Sequence, residues 1–214
     1  MTTPPHEPDN GYERLIMFTD GIFAIAITLL ALEIRIPEVT NRAELGQAIL
    51  DLLPQIFVFV YTFIQVGLFW LAHQRMFRYI DRTDDRFMVL CVIYLMVIAF
   101  LPVPSSVLAR YGDQFSAVEF FAVTMLLVGI MEFLIWEYAA YKGRLVRSDI
   151  TPLQMSEQRW RTANLLIIFS LSIVIAFISP LVAMLSWFAL FVTRRLITWR
   201  FNRIAAQVNT HKSK

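Results

Sequence analysis

Between Phe87 and Leu108 the chain carries no charged side chain. An apolar run of that length has one natural environment. A helix rises about 1.5 Å per residue, so about 20 residues cross a hydrocarbon core of roughly 30 Å. Other runs share this character: Glu13 to Ile34, Ile49 to Ala72, Phe115 to Tyr141, and the longer Thr162 to Leu196. The last is too long for one span. Ser179-Pro180 interrupts it, and proline removes a helical donor and clashes with the preceding turn, so the spacing predicts a helical hairpin there. A single kinked helix is the alternative. The sequence thus predicts an all-α integral membrane protein with six transmembrane helices per subunit.

The placement of basic residues orients these helices. With the amino terminus inside, all of the 19 Lys and Arg residues fall on the inner side except Arg35, Arg42 and Arg110. Both termini are therefore expected to be cytoplasmic. Residues 1–12 are expected to form a disordered tail, 13–200 the six-helix domain, and 201–214 a basic cytoplasmic tail. The inner loop from Lys142 to Arg161 and that basic tail are candidate contacts for anionic lipids.

Composition closes other routes. Apolar residues make up 57% of the chain and charged ones 17%, against about a quarter charged in soluble domains. A net charge of +2 gives no footing for nucleic acid. Cys91 is the sole cysteine, which excludes an internal disulfide and a cysteine-built metal centre. There is no H-E-x-x-H, no nucleophile elbow and no Gly-rich phosphate loop. The chain is not expected to be an enzyme or to carry a cofactor.

The first apolar run holds the unusual chemistry. Arg14 and Asp20 stand near its inner end and Glu33 near its outer end. Ionisable groups at membrane depth are costly and turn towards protein or water. Reckoned by depth, Arg14, Asp20, His73, Glu137, Arg161 and Asn164 share one layer, with Trp70 and Gln74 arriving beside them. A network among them is expected, since a buried charge needs partners. Further along, Ile25, Thr28 and Leu32 fall on one stripe of the helix. On spacing alone such a stripe reads as ordinary helix packing.

The segment R-L-I-M-F-T-D-G-I-F-A-I-A-I-T-L-L-A-L-E-I, residues 14 to 34, resembles the first helix of bacterial members of the transmembrane protein 175 family of potassium-permeable channels. Arg14, Phe18, Asp20, Ala24, Ile25, Thr28, Leu29 and Leu30 carry the resemblance, with Thr19 where the family has serine. It extends to F-W-L-A-H-Q at 69–74 and F-L-P-V-P-S-S at 100–106. In the third span Cys91 stands where relatives commonly have asparagine. The resemblance implies a homotetramer whose first helices line the pore. Carried onto this chain, Ile25 forms an apolar constriction, Thr28 a hydroxyl layer and Leu32 a second ring, with potassium passing transiently near Ile25 and Thr28. Arg14, Phe18, Thr19 and Asp20 brace the helix, and Trp70, His73 and Asn164 are their expected partners. Glu33, with Glu38 and Glu44, would draw cations to the outer mouth.

A second reading comes from Glu132, well inside the fourth run, together with His73. Membrane acids often form proton relays, so a proton-conducting or proton-coupled transporter is the alternative to a potassium channel.

Overall fold

The computed structural model describes residues 10–35 and 42–212. Among these, nine α-helices combine into six membrane-length segments. The first is α1 (Asn10–Leu32). The second joins α2 (Leu45–Leu50) to α3 (Leu53–Phe77), and the third joins α4 (Asp85–Phe100) to α5 (Pro102–Tyr111). The fourth is α6 (Phe115–Ala140) and the fifth α7 (Pro152–Ala176). The sixth joins α8 (Pro180–Ser186) to α9 (Ala189–Lys212). The chain is a multi-pass membrane protein.

The interruptions have local causes. Pro102 has no amide for the Ile98 carbonyl, and the Leu101 amide takes that acceptor instead at 3.1 Å, tightening one turn. Ser179 caps α8 by accepting the Val182 amide at 3.4 Å, with Pro180 in the first helical position, where its missing donor costs nothing. The chain reverses at this point, and α7 packs against both α8 and α9. The long apolar run is a hairpin, not a kinked helix.

Several boundaries differ from those expected. Helix α1 starts at Asn10, inside the tail expected over 1–12; residues 1–9 lie outside the described part. Helix α7 starts at Pro152, ten residues before Thr162. Thr151 accepts the Gln154 amide and the Gln154 side chain accepts the Thr151 amide at 2.8 Å, a capping box that starts the helix in polar sequence. Helix α9 runs on to Lys212, so the basic tail is helical as far as described; residues 213–214 are outside. Hydropathy marks the part of a helix within hydrocarbon, and these helices extend beyond it.

Helix α6 is apolar on every side except at Glu119, Glu132 and Glu137, and packs on α4, α5, α7 and α8. Gly129 lets α7 approach closely: a Cβ there would fall 2.3 Å from Leu165 Cδ2. Small residues serve such close contacts between membrane helices. Helix α1 packs on α3 and α4 and, more lightly, on α5. Trp187, at the α8–α9 junction, is buried against Tyr61, Phe121 and Phe169 and donates to Ser172 Oγ at 2.5 Å.

The loops that follow α3 and α6 are tied together. The Arg147 amide donates to the Tyr79 carbonyl at 2.9 Å, and the Asp81 amide to the Leu145 carbonyl at 3.1 Å. Asp84 caps α4 by accepting the Phe87 amide at 2.8 Å; it also accepts the Tyr138 hydroxyl at 2.8 Å and pairs with Arg144 at 3.0 Å. Burial alone would raise its pKa, but the amide, the hydroxyl and the guanidinium outweigh that and hold it below the usual value. A depressed native pKa gives stability that is complete above about pH 4 and lost as pH falls through the native value. Asp84→Ala is expected to cost about 1 kcal/mol at pH 7. Melting of the purified protein should show that gap closing below about pH 4. Equal melting at pH 7 would remove the role given to Asp84.

Candidate functional site on the first helix

Two faces of α1 are chemically distinct. Leu15, Thr19, Phe23, Ala26 and Leu30 are buried against the bundle. Their spacing of four, four, three and four keeps them on one side. The opposite side carries Arg14, Phe18, Gly21, Ile25, Thr28 and Leu32, all exposed on the single chain. Ile25 is 56% exposed and Leu32 71%. The stripe Ile25, Thr28, Leu32 is therefore not part of the subunit's own packing.

The rotation of α1 that produces this division is held at Asp20. Its Oδ1 accepts the Trp70 indole N–H and the Gln74 amide N–H, each at 2.7 Å. Trp70 and Gln74 are four apart on α3, one above the other on the same face. Gln74 has a larger part here than the sequence suggested, and the i,i+4 spacing from Trp70 was the available signal. Thr19 is fully buried and donates back to the Leu15 carbonyl at 2.8 Å.

Other residues of the expected layer are dispersed. Arg14 lies on the exposed stripe and Phe18 beside it. Glu137 pairs with Arg159 at 2.5 Å, and Arg161 with Glu157 at 2.5 Å and Thr198 at 2.9 Å. Asn164, expected to brace α1, instead donates to Thr193 Oγ1 at 2.9 Å and joins α7 to α9. The reason is the bundle's layout: α1 is packed on α3, α4 and α5, whereas α7 sits across α6 with α8 and α9. His73 is buried among rings, stacked on Phe77 at 4.1 Å and on Tyr94 at 5.7 Å, with Phe23 at 6.1 Å. It fills the junction of α1, α3 and α4.

Thr28 donates its hydroxyl hydrogen to the Ile25 carbonyl at 2.8 Å. The oxygen's lone pairs then remain on the exposed face. Among the described residues no group of three or more His, Cys, Asp or Glu could hold a metal ion. Glu33 follows the last turn and is half-buried, and Glu44 is exposed; Glu38 lies outside the described residues.

Removing the Asp20 carboxylate leaves two donors of α3 without an acceptor. Asp20→Ala is expected to destabilise the purified protein by about 1–3 kcal/mol. A double-mutant cycle with Trp70→Phe should give a coupling energy of about 0.5 kcal/mol or more. Additive effects would mean that the bond contributes nothing to the fold.

The family model described as endosomal/lysosomal potassium channel TMEM175 matches residues 14–102. A potassium channel of Chamaesiphon minutus is 30% identical over 189 residues, spanning 84% of this chain and 92% of that protein. The crystal structure of a lysosomal potassium-selective channel TMEM175 homolog from Chamaesiphon minutus shares the fold with a TM-score of 0.76 at 26% identity, over 91% of this chain and 100% of that one. The human endosomal/lysosomal proton channel TMEM175 is 28% identical over 139 residues, which are 64% of this chain and 28% of the human protein. On these likenesses, the chain belongs to the TMEM175 family.

Proposed function

We propose that the protein is a potassium-permeable cation channel of a bacterial inner membrane, in which four copies bring their α1 stripes together around one axis. Both chain ends lie on the cytoplasmic side. The observation that carries this reading is the free face of α1: Ile25, Thr28 and Leu32 are turned away from the bundle that buries the rest of the helix. An aliphatic face left unpaired beside a fixed hydrogen-bonded face suits association with its own copies.

The conduction mechanism follows from the order of the side chains. Ile25 forms the narrowest ring, and a narrow apolar ring dewets and blocks ions. A slight widening admits water and a partly dehydrated cation. Thr28 hydroxyl oxygens, one turn away, replace part of the lost hydration. Leu32 makes a second apolar ring towards the outer mouth, where Glu33 raises the local cation concentration. Potassium loses its water more easily than sodium, and that difference is the proposed source of preference. Arg14, Phe18, Thr19 and Asp20, with Trp70, Gln74 and His73 behind them, set the angle at which α1 meets the axis.

Potassium flux into liposomes containing the purified protein tests this. Ile25→Asn should raise flux and lower discrimination against sodium, because a polar ring stays wet. Thr28→Val should lower potassium flux by removing the oxygen layer. Unchanged flux and selectivity in both variants would remove α1 from the conduction path.

Proton conduction is a second reading, favoured by one arrangement. The Tyr94 ring stacks on His73 at an interplanar angle of 5° and interacts electrostatically with the buried Glu132. Among the described residues His73 Nε2 and the Tyr94 hydroxyl have no hydrogen-bond partner, and orphaned buried polar atoms are places for water. If this path conducts, proton flux should depend steeply on pH and Glu132→Gln should abolish it. A flux indifferent to pH or to that substitution removes this reading.

A further inference from the structure

Rings join α3 to the α8–α9 junction, Tyr61 lying against Trp187 at 5.6 Å and Phe188 at 5.8 Å. Below that junction a cavity of about 220 Å³ opens between α3, α7 and α9. Arg75 of α3 and Arg194 and Arg195 of α9 line it, and the carboxylate they meet is Glu132, buried in α6. Arg161 also lines it but is committed to Glu157 and Thr198. An adjoining cavity of about 400 Å³ shares Arg75 and Arg161 and adds Arg78.

The charges in this space do not balance. Among the described residues none of Arg75, Arg78, Arg194 and Arg195 forms a salt bridge. Arg75 stands close enough to Arg78, Arg161 and Arg194 to interact with each, and the nearby acid it also feels, Glu157, is already held by Arg161. Guanidinium groups gathered in a partly enclosed space need counter-charge, and their planar donor forks match phosphate oxygens. The walls identify the carrier of that phosphate. Leu68 and Leu71 line the same cavity, two turns and one turn before Arg75 on α3, and Leu71 is 49% exposed on the bundle's flank. A soluble anion gains nothing from leucines, whereas a phospholipid would lay an acyl chain along them.

We infer that this cavity binds the phosphate group of an anionic phospholipid from the inner leaflet, held by Arg75, Arg194 and Arg195 with its chain along Leu68 and Leu71. This places lipid recognition between α3, α7 and α9, deeper than the loop and tail that the sequence offered for it. Glu132 is the one carboxyl group lining this cavity, and the arginines that line it outnumber it.

Retention of lipid by the detergent-purified protein, read by native mass spectrometry, tests the inference without reference to conduction. Phosphatidylglycerol should be retained over phosphatidylcholine. Arg75→Gln and Arg195→Gln should each weaken retention about fivefold, and Arg75→Lys should restore most of it. Arg203, stacked on Trp199 at 4.1 Å and outside the cavity, supplies a control that should change nothing. Millimolar inorganic phosphate should not displace the lipid. Equal retention of both lipids, displacement by phosphate, or an equal loss in Arg203→Gln would overturn the inference. So would variants that change the number of subunits and leave lipid retention intact, since a neighbouring copy would then be the occupant.

Discussion

A single carboxylate oxygen decides how the first helix presents itself. Asp20 Oδ1 takes two donors from α3 at 2.7 Å, and both come from one face of that helix. With the rotation of α1 set there, Phe23, Ala26 and Leu30 turn inwards, and every third or fourth residue from Arg14 to Leu32 turns out. Within lipid the hydrophobic effect does not choose helix partners, since tails are as apolar as leucine. Specific polar contacts and close packing therefore do the choosing. Comparable pairs recur elsewhere: Thr62 with Ser105 at 3.1 Å, Gln65 with Tyr61 at 2.8 Å, and Asn164 with Thr193 at 2.9 Å. The first and third join different helices where apolar contact alone would leave rotation undetermined, and the second satisfies two buried polar groups within α3.

The molecule divides around α6. On one side α1 rests on α3, α4 and α5, and on the other α7 pairs with α8 and α9. The first half holds the free aliphatic stripe. The arginine-lined cavity lies where the halves separate. The chain thus leaves one aliphatic face of its first helix uncovered while α6 joins the remaining helices. Close contact at Gly129 keeps α6 and α7 together across that division.

How much of this was readable beforehand depends on which coordinate is asked for. Position along the membrane normal follows from hydropathy, which gives the apolar runs, and Pro180 divides the longest of them at the Ser179-Pro180 reversal. Rotation about each helix axis and the choice of neighbour do not. Asp20, Glu137, Arg161 and Asn164 do sit near one end, yet they pair separately, with Trp70 and Gln74, Arg159, Glu157 and Thr198, and Thr193. Depth brought them into one list and azimuth separated them. The interruption at Trp187 was equally hidden, because no proline or glycine marks it. It exists because the indole is buried among three rings and bonded to Ser172, a tertiary cause. The stripe on α1 had a correct spacing but no sign of being uncovered, which only the positions of α3 and α4 reveal.

Cys91 lies fully buried on α4, enclosed by the core around α1 and α6. The lone thiol of the chain is thus shielded from aqueous reagents in the folded subunit. Maleimide or methanethiosulfonate probes would meet a background that is silent without any substitution at that position. Cysteines placed one at a time along α1 could then be read individually, in a protein whose interior has not been altered to make the measurement possible.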